Sequence, residues 1–153
     1  MVRILNPEEA AARAGQLGSV LLDAVEGGAS VSFLAGFSQA DAEAFYAKAA
    51  QEAAAGRRVI FAALDGDVLV GTVQLLLDTP PNQPHRAEIA KLLVHRKARR
   101  QGFARSLMLA AEAEAKARGR TLLTFDTMSG GAAEQLYLGL GYVRIGEIPA
   151  SGP

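Results

Sequence analysis

The most chemically suggestive part of the sequence is a basic run that leads into a predicted helix. Between His85 and Arg105 the chain carries seven Lys and Arg residues and a single acid, Glu88; the basic residues are Arg86, Lys91, Arg96, Lys97, Arg99, Arg100 and Arg105. The first turn of a helix exposes unpaired N–H groups and the positive end of its dipole, which together suit a phosphate. Small residues at Gly102 and Ala104 would let a phosphate reach that backbone. The spacing Arg99-x-x-Gly102-x-Ala104 therefore predicts a diphosphate site, although most basic runs are simply solvated surface.

Composition excludes several classes of protein. The 153 residues suit one domain, and the absence of Cys rules out disulfides, a thiolate nucleophile and Cys-built zinc sites. A formal net charge of zero argues against a dedicated nucleic-acid or membrane-surface protein. His85 and His95 have no third ligand in the pattern, so no metal site is expected. The first residues lack the basic and apolar regions of a signal peptide, which predicts a cytoplasmic location.

The elements that would position the basic run alternate between helical and strand patterns. Asn6-Pro7 followed by Glu9 predicts a helix start, and this one helix is expected to run on to Val25. Asp65-Gly66 between two apolar runs predicts a β-hairpin. The remaining pattern predicts helices over 39–55, 102–118 and 132–140 and strands over 58–64, 68–77, 87–94, 121–127 and 142–147. This order favours a single mixed α/β domain over residues 1–153, antiparallel at first and with parallel neighbours later.

The stretch around the basic run resembles the GNAT acetyltransferase superfamily. The resemblance lies in residues 87–94, Ala-Glu-Ile-Ala-Lys-Leu-Leu-Val, and in residues 98–107, Ala-Arg-Arg-Gln-Gly-Phe-Ala-Arg-Ser-Leu. Arg99, Gly102 and Ala104 fill the superfamily's acyl-CoA signature, Gln/Arg-x-x-Gly-x-Gly/Ala.

A second stretch, residues 133–142, is similar to another signature of the superfamily. It combines a predicted helix containing Tyr137 with Gly141-Tyr142 at the start of the next strand. More narrowly, four segments look like the tabtoxin-resistance branch of the superfamily: residues 27–33, 86–88, 91–92 and 126–127.

The resemblance implies a GNAT-type mixed central sheet with helices on both faces and a V-shaped splay between strands 87–94 and 121–127. It also implies acetyl-CoA binding in that splay, where strand backbone would pair with the pantetheine arm and helix amides would hold the pyrophosphate. The residues expected to bind the cofactor are Leu92, Leu93, Val94, Arg99, Arg100, Gln101, Gly102, Phe103, Ala104 and Arg105. The superfamily's last strand is expected to be missing from this sequence. Either the chain is truncated, or the open sheet edge is covered in another way, for which a homodimer is a candidate.

The resemblance also assigns catalytic roles, for a direct transfer without a covalent enzyme intermediate. Tyr137 is expected to protonate the departing CoA thiolate, unless its ring only packs against the sheet. Glu88 and Asp126 are both candidates for the base that deprotonates an acceptor amine, and the sequence does not choose between them. Either carboxylate could instead be the structural partner of a cation or a backbone cap. Residues 27–33 match the superfamily's substrate-selecting loop, or they form a simple connector.

Together these features predict an N-acetyltransferase that transfers the acetyl group of acetyl-CoA directly to a primary amine of a small molecule. The tabtoxin-resistance likeness implies an amino-acid-like or antibiotic-like acceptor. The alternative is a non-catalytic acyl-CoA-binding module, which would need neither Tyr137 nor an accessible carboxylate. Nucleic-acid binding through residues 85–105 is a third hypothesis, which the net charge of zero disfavours. No membrane partner is expected.

Overall fold

Five strands of the chain form one sheet, in the order β1-β2-β3-β4-β5. The computed structural model describes residues 1–26, 38–78 and 86–125. Its elements are β1 (Val2–Leu5), α1 (Pro7–Ala12), α2 (Ala14–Glu26), α3 (Gln39–Ala54), β2 (Arg58–Asp65), β3 (Val68–Leu76), β4 (Arg86–Val94), a 3-10 turn (Arg96–Ala98), α4 (Phe103–Ala117) and β5 (Leu122–Phe125). Neighbouring strands from β1 to β4 are antiparallel, whereas β4 and β5 are parallel. This confirms the predicted mixed α/β sheet; the predicted helix 132–140 and strand 142–147 lie outside the described residues.

The predicted hairpin joins β2 and β3. Asp65 pairs with Val68 across the turn, and Gly66 has a φ of 63°, a left-handed conformation that glycine adopts without strain. β2 and β3 are long antiparallel strands, and β4 pairs with β3 along one of its edges.

The helices divide between the two faces of the sheet, as predicted. Along β2, Ile60 and Ala62 are buried against α1, α2 and α3, whereas Phe61 and Ala63 are buried against α4. Successive side chains of β2 therefore alternate between the two faces, as expected of a strand that is covered on both.

The helix α4 packs closely on β3. Its face toward the sheet buries Leu107 and Met108 completely, which stabilises the fold by roughly 1.5–3 kcal/mol for each side chain. Gly71 of β3 permits the close approach, because a Cβ there would lie 3.1 Å from the carbonyl oxygen of Leu93 and 3.2 Å from Leu107 Cδ1. The position of α4, and therefore of its N-terminus, is set by this packing.

The first helical region differs from the prediction of one helix running to Val25. It is divided into α1 and α2 by Arg13, which takes a non-helical conformation with φ −99° and ψ 14°. The break is short, since the Leu17 N–H still donates to the Arg13 carbonyl at 2.9 Å. Gly15 is the second residue of α2, and a glycine near a helix start weakens the tendency to continue one straight helix. Among the described helices, none is long and apolar enough to cross a membrane.

Candidate functional site

β4 runs past the described end of β5. The parallel pairing starts at Arg86 and Leu122, and its last described pair is Ile89 with Phe125. β4 continues through residues 90–94, which pair with β3 on the other side. One edge of this segment therefore faces no strand among the described residues.

A β-bulge interrupts β4 in the same segment. Between the pairs Thr72–Leu93 and Gln74–Ala90, β4 contains one residue more than β3. Lys91, inside this bulge, has a φ of 56°, which is uncommon for a residue with a side chain. A bulge bends the strand and redirects its side chains, and bulges are frequent beside functional sites.

The bulge exchanges the faces to which β4 side chains point. Before it, Ala87 and Ile89 pack on the α4 side; after it, Leu92 and Val94 are the residues packed there. Leu93 is buried with α1–α3 on the opposite face. Of the three β4 residues expected to bind a cofactor, two are thus half-buried on the α4 side and one is fully buried away from it.

The N-terminus of α4 is built differently from those of α1 and α3. Asn6 and Ser38 cap α1 and α3 with a side-chain oxygen, and the third residue of each helix is acidic. α4 follows Gly102, which has a φ of 83° and makes no side-chain capping bond. Because the helical bonds begin with the Ser106 N–H donating to the Gly102 carbonyl at 3.0 Å, the N–H groups of residues 103–105 are left for another acceptor.

Four cations beside this helix start have no carboxylate partner among the described residues. They are exposed, and they are Lys97, Arg99, Arg100 and Arg105. Other cations of the described residues do pair with carboxylates, among them Arg3, Arg57, Arg58, Arg96, Lys116 and Arg118. The Arg99 Nε donates to the carbonyl of Val94 at 3.4 Å, which directs this side chain back toward the end of β4. Positive charges gathered at the positive end of a helix dipole favour an anion there.

The space in front of α4 can admit such an anion. A Cβ built on Gly102 would meet no atom within 4 Å, and Arg100 also has a left-handed φ, of 66°. Amide donors, nearby guanidinium groups and open space together match the requirements of a phosphate or diphosphate. The residues present therefore fit the phosphate end of acyl-CoA.

Glu88 lies on the sheet face that α1–α3 cover, because its neighbours Ala87 and Ile89 face α4. Its side chain is half-buried, and its register partner on β5 is Thr124. Thr124 is 5 % exposed, and its Oγ1 has no hydrogen-bond partner in the described part of the chain. Glu88 and Thr124 are thus neighbours across β4 and β5, one register pair before the last described pair of these strands. Sequence reasoning missed Thr124, because cross-strand register is not visible in a local pattern.

The other predicted catalytic residues, Tyr137 and Asp126, lie outside the described residues, as does the loop 27–33. His95 is described, and it has a structural partner on each side: its Nδ1 accepts from the Lys97 N–H at 3.1 Å, and its Nε2 lies 3.5 Å from Asp23 Oδ1. No group of three His, Asp or Glu residues suited to a metal ion occurs within residues 1–26, 38–78 and 86–125.

Asp23 is the second residue that sequence reasoning missed. It lies in α2, yet it accepts hydrogen bonds from the backbone N–H of Arg96 at 3.0 Å and from the Arg96 Nε at 2.6 Å. Burial disfavours the charged form of Asp23, but these bonds and the nearby His95 outweigh it and lower the pKa of the carboxyl group. No sequence signal connects two residues that are 73 positions apart.

Fold and site together define a class: a mixed α/β protein that offers a phosphate an uncapped helix N-terminus next to the parallel strands β4 and β5. The sequence model of the acetyltransferase (GNAT) family matches residues 22–142. The chain therefore belongs to the GNAT acetyltransferase family, which confirms the resemblance at the level of the family. The finer likeness to the tabtoxin-resistance branch stays a prediction.

Solved structures of acetyltransferases have the same fold. The chain is similar to a ribosomal-protein-alanine N-acetyltransferase from Brucella melitensis, with 21% identity, a TM-score of 0.68 and coverage of 92% of this chain and 83% of that one. It is similar to PaiA N-acetyltransferase from Thermoplasma acidophilum in complex with coenzyme A, with 13% identity, a TM-score of 0.70 and coverage of 94% and 90%. It is also similar to an aminoglycoside acetyltransferase from an uncultured soil metagenomic sample in complex with sisomicin, with 18% identity, a TM-score of 0.67 and coverage of 92% and 83%.

Proposed function

We propose that the chain is an N-acetyltransferase that transfers the acetyl group of acetyl-CoA to a primary amine of a small molecule. The observation that carries the proposal is the N-terminus of α4, which has free amide donors, no cap and four cations without a described carboxylate partner. Family membership indicates acetyl-CoA as the cosubstrate, and the Thermoplasma neighbour holds coenzyme A. The cosubstrate supplies an activated acetyl thioester.

The phosphate end of the cosubstrate is assigned to the start of α4. The amides of residues 103–105 would donate to the diphosphate, and Arg100 and Arg105 would add charge-assisted bonds. Gly102 would keep the approach clear, since open space surrounds it. The pantetheine arm is assigned to the β4 edge at residues 92–94, where backbone groups face no described strand. Arg99 would hold the end of β4 and the start of the loop together.

The acceptor amine must lose a proton before it can attack, and Glu88 is the described residue proposed to take it. Its carboxylate is half-buried beside Thr124, whose hydroxyl is without a described partner and would bind or relay the proton. Asp126 remains the rival base. Tyr137 is proposed as the acid that donates its phenol proton to the leaving sulfur, the role that the family resemblance assigns to it.

Turnover is tested by measuring thiol release from acetyl-CoA with a panel of amines. The panel contains sisomicin, amino-acid-like diamines and a peptide with an N-terminal alanine, because the similar structures include acetyltransferases of different acceptors. Amine-dependent release with a small molecule supports the proposal. Release with the peptide alone would contradict the small-molecule acceptor. Acetyl-CoA binding without release from any amine would favour the non-catalytic acyl-CoA-binding module.

Two single substitutions test the proposed acid and base. Tyr137→Phe and Glu88→Gln should each lower kcat by roughly 100-fold, the low end of what a positioned acid or base contributes, while acetyl-CoA affinity changes little. Steady-state kinetics and calorimetry measure the two quantities separately. Glu112→Gln is the control. It removes the ion pair between Glu112 and Lys116 of α4 and should leave kcat unchanged. An unaltered kcat in Tyr137→Phe would return that tyrosine to a packing role, and an unaltered kcat in Glu88→Gln would favour Asp126.

A further inference from the structure

Asp23 is a buried carboxylate that the proposed chemistry does not use. It lies in the last turn of α2 and is 8 % exposed. Both of its side-chain oxygens and its own carbonyl accept bonds from one distant residue, Arg96: the backbone N–H donates to Oδ2, Nε donates to Oδ1 and Nη2 donates to the carbonyl at 3.2 Å. Carboxylates are rarely buried unless they are paired, so this arrangement fixes two elements relative to each other.

Arg96, which is hydrogen-bonded to Asp23, lies near the start of the connection from β4 to α4. Arg96 opens the 3-10 turn, and His95 directly before it donates its backbone N–H to the Val70 carbonyl at 2.7 Å. At the other end of this turn Ala98 is buried in the core under α4. The turn is therefore fixed at both ends before the chain reaches Arg99.

The segment that follows is the one assigned to the diphosphate, residues 99–105. Its C-terminal half is positioned by the packing of α4 on the sheet. Its N-terminal half contains two residues with left-handed φ, Arg100 and Gly102, and its direction depends on the position of the 3-10 turn that precedes it. Asp23 fixes the position of this turn by accepting from the backbone N–H of Arg96, although Asp23 lies on a helix of the opposite sheet face.

We infer that Asp23 is a positioning residue for diphosphate binding, acting through Arg96 on residues 99–105. This inference rests on the proposed acetyl-CoA function. Asp23 touches no ligand itself; it determines whether amides and guanidinium groups of the loop converge on the diphosphate. Its effect is therefore specific to ligands that carry a diphosphate, which separates positioning from general stability.

The test compares acetyl-CoA with S-acetylpantetheine, which has the same acetyl thioester and arm but no diphosphate. Asp23→Ala should weaken acetyl-CoA binding on the order of tenfold by calorimetry, because hydrogen bonds to a charged group are lost, and should leave the weaker binding of S-acetylpantetheine unchanged. Asp23→Asn keeps an oxygen for the Arg96 N–H and should restore part of the affinity. Arg96→Gln keeps the backbone N–H and should have a smaller effect than Asp23→Ala.

Arg120→Ala is the matched control for a clamp between elements. Arg120 donates to the carbonyls of Leu77 and Arg86 at 3.2 and 2.6 Å, at the opposite end of β4. Its loss should lower the unfolding midpoint without altering the ratio of the two affinities. An equal loss of both ligands in Asp23→Ala, or undiminished acetyl-CoA binding, would overturn the inference.

A measurement without ligand separates this inference from the proposed function. In Asp23→Ala the amide chemical shifts of residues 99–104 should change, whereas in Arg120→Ala they should stay as in the unaltered chain. Unchanged shifts in Asp23→Ala would overturn the positioning role alone. Failure of the unaltered chain to bind acetyl-CoA would instead overturn the cosubstrate assignment and, with it, the role of Asp23 in diphosphate binding.

Discussion

Helices α1 and α3 begin in one way and α4 begins in another. At the third helical position α1 has Glu9 and α3 has Asp41, and each completes a reciprocal capping box with the residue before the helix. At the same position α4 has Arg105, and no side chain caps it among the described residues. Capped helix ends satisfy their own amides and use an acid to complement the dipole. An end that has a cation instead, and leaves its amides free, is suited to an anion from outside the chain.

The backbone amides at a helix start stabilise the fold in α1 and α3 and are available to a ligand in α4. A capped end contributes its hydrogen bonds to the folded state whether or not a ligand is present. The uncapped end of α4 forgoes that contribution and is held by the packing of Leu107 and Met108 on the sheet. Substitutions at the capped ends should therefore change the free energy of unfolding, whereas substitutions at the uncapped end should change acetyl-CoA affinity.

The largest expected effect is that of Gly102→Glu. It places a carboxylate where the diphosphate is assigned, and repulsion between like charges should reduce acetyl-CoA affinity by at least about 100-fold in a calorimetric titration. Gly56→Glu is the matched control, because Gly56 has a φ of 80° and, like Gly102, no atom within 4 Å of a Cβ. Both variants bear the strain of a left-handed side-chain residue, roughly 1–2 kcal/mol. Equal affinities in the two variants would break the assignment of the site to α4.

Reversing the charge at the third helical position should weaken acetyl-CoA binding in α4 and lower stability in α3. Arg105→Glu gives α4 the acid that the other helices have, so the unfolding midpoint should rise slightly or stay level while acetyl-CoA binding weakens by about tenfold. Asp41→Arg gives α3 the cation of α4, and the midpoint should fall while acetyl-CoA binding is unchanged. Thermal unfolding and calorimetry on the same samples measure both. A loss of stability in Arg105→Glu would mean that Arg105 has a structural role.

Removing a cap should affect unfolding alone. Ser38→Ala deletes the oxygen that accepts from the Asp41 N–H at 3.1 Å and should lower the free energy of unfolding by about 1 kcal/mol. Urea denaturation measures this change. Acetyl-CoA affinity should be that of the unaltered chain, and a coupled loss of affinity would show that the two kinds of helix end are not independent.

The smallest expected effect is a pKa difference at the cap of α3. Hydrogen bonds from the backbone and side chain of Ser38 lower the pKa of Asp41 from its ordinary value of 3.8. Because the folded pKa is the lower one, this contribution to stability is complete above about pH 5, declines as the pH falls through the unfolded pKa, and is lost below the folded pKa. Carboxyl NMR should give a pKa below 3.8 for Asp41 and a higher one in Ser38→Ala. Equal values would contradict the capping bond.

Local sequence patterns were sufficient for most of the described elements. The hairpin at Asp65-Gly66, the strand β4 and the helix α4 all follow from apolar periodicity and turn residues, which act within a few positions of the chain. The division of the first helix at Arg13 is not visible in this way, because the apolar spacing continues across it.

The site was predicted less completely than the fold, for a related reason. The basic run and Gly102 are contiguous, so their place before α4 can be read from the sequence. The bulge at Lys91, the pairing of Glu88 with Thr124 and the bond from Arg96 to Asp23 depend on register and on contacts between distant segments. Such contacts appear only when strands and helices have assembled.

The assignment of the diphosphate to the N-terminus of α4 is tested by a calorimetric titration of acetyl-CoA into the purified chain, with CoA, ATP and S-acetylpantetheine in parallel. If the uncapped end of α4 receives the diphosphate, acetyl-CoA and CoA should bind saturably, S-acetylpantetheine should bind much more weakly, and ATP should not bind. Absence of acetyl-CoA binding, or equal affinity for acetyl-CoA and S-acetylpantetheine, would contradict the claim.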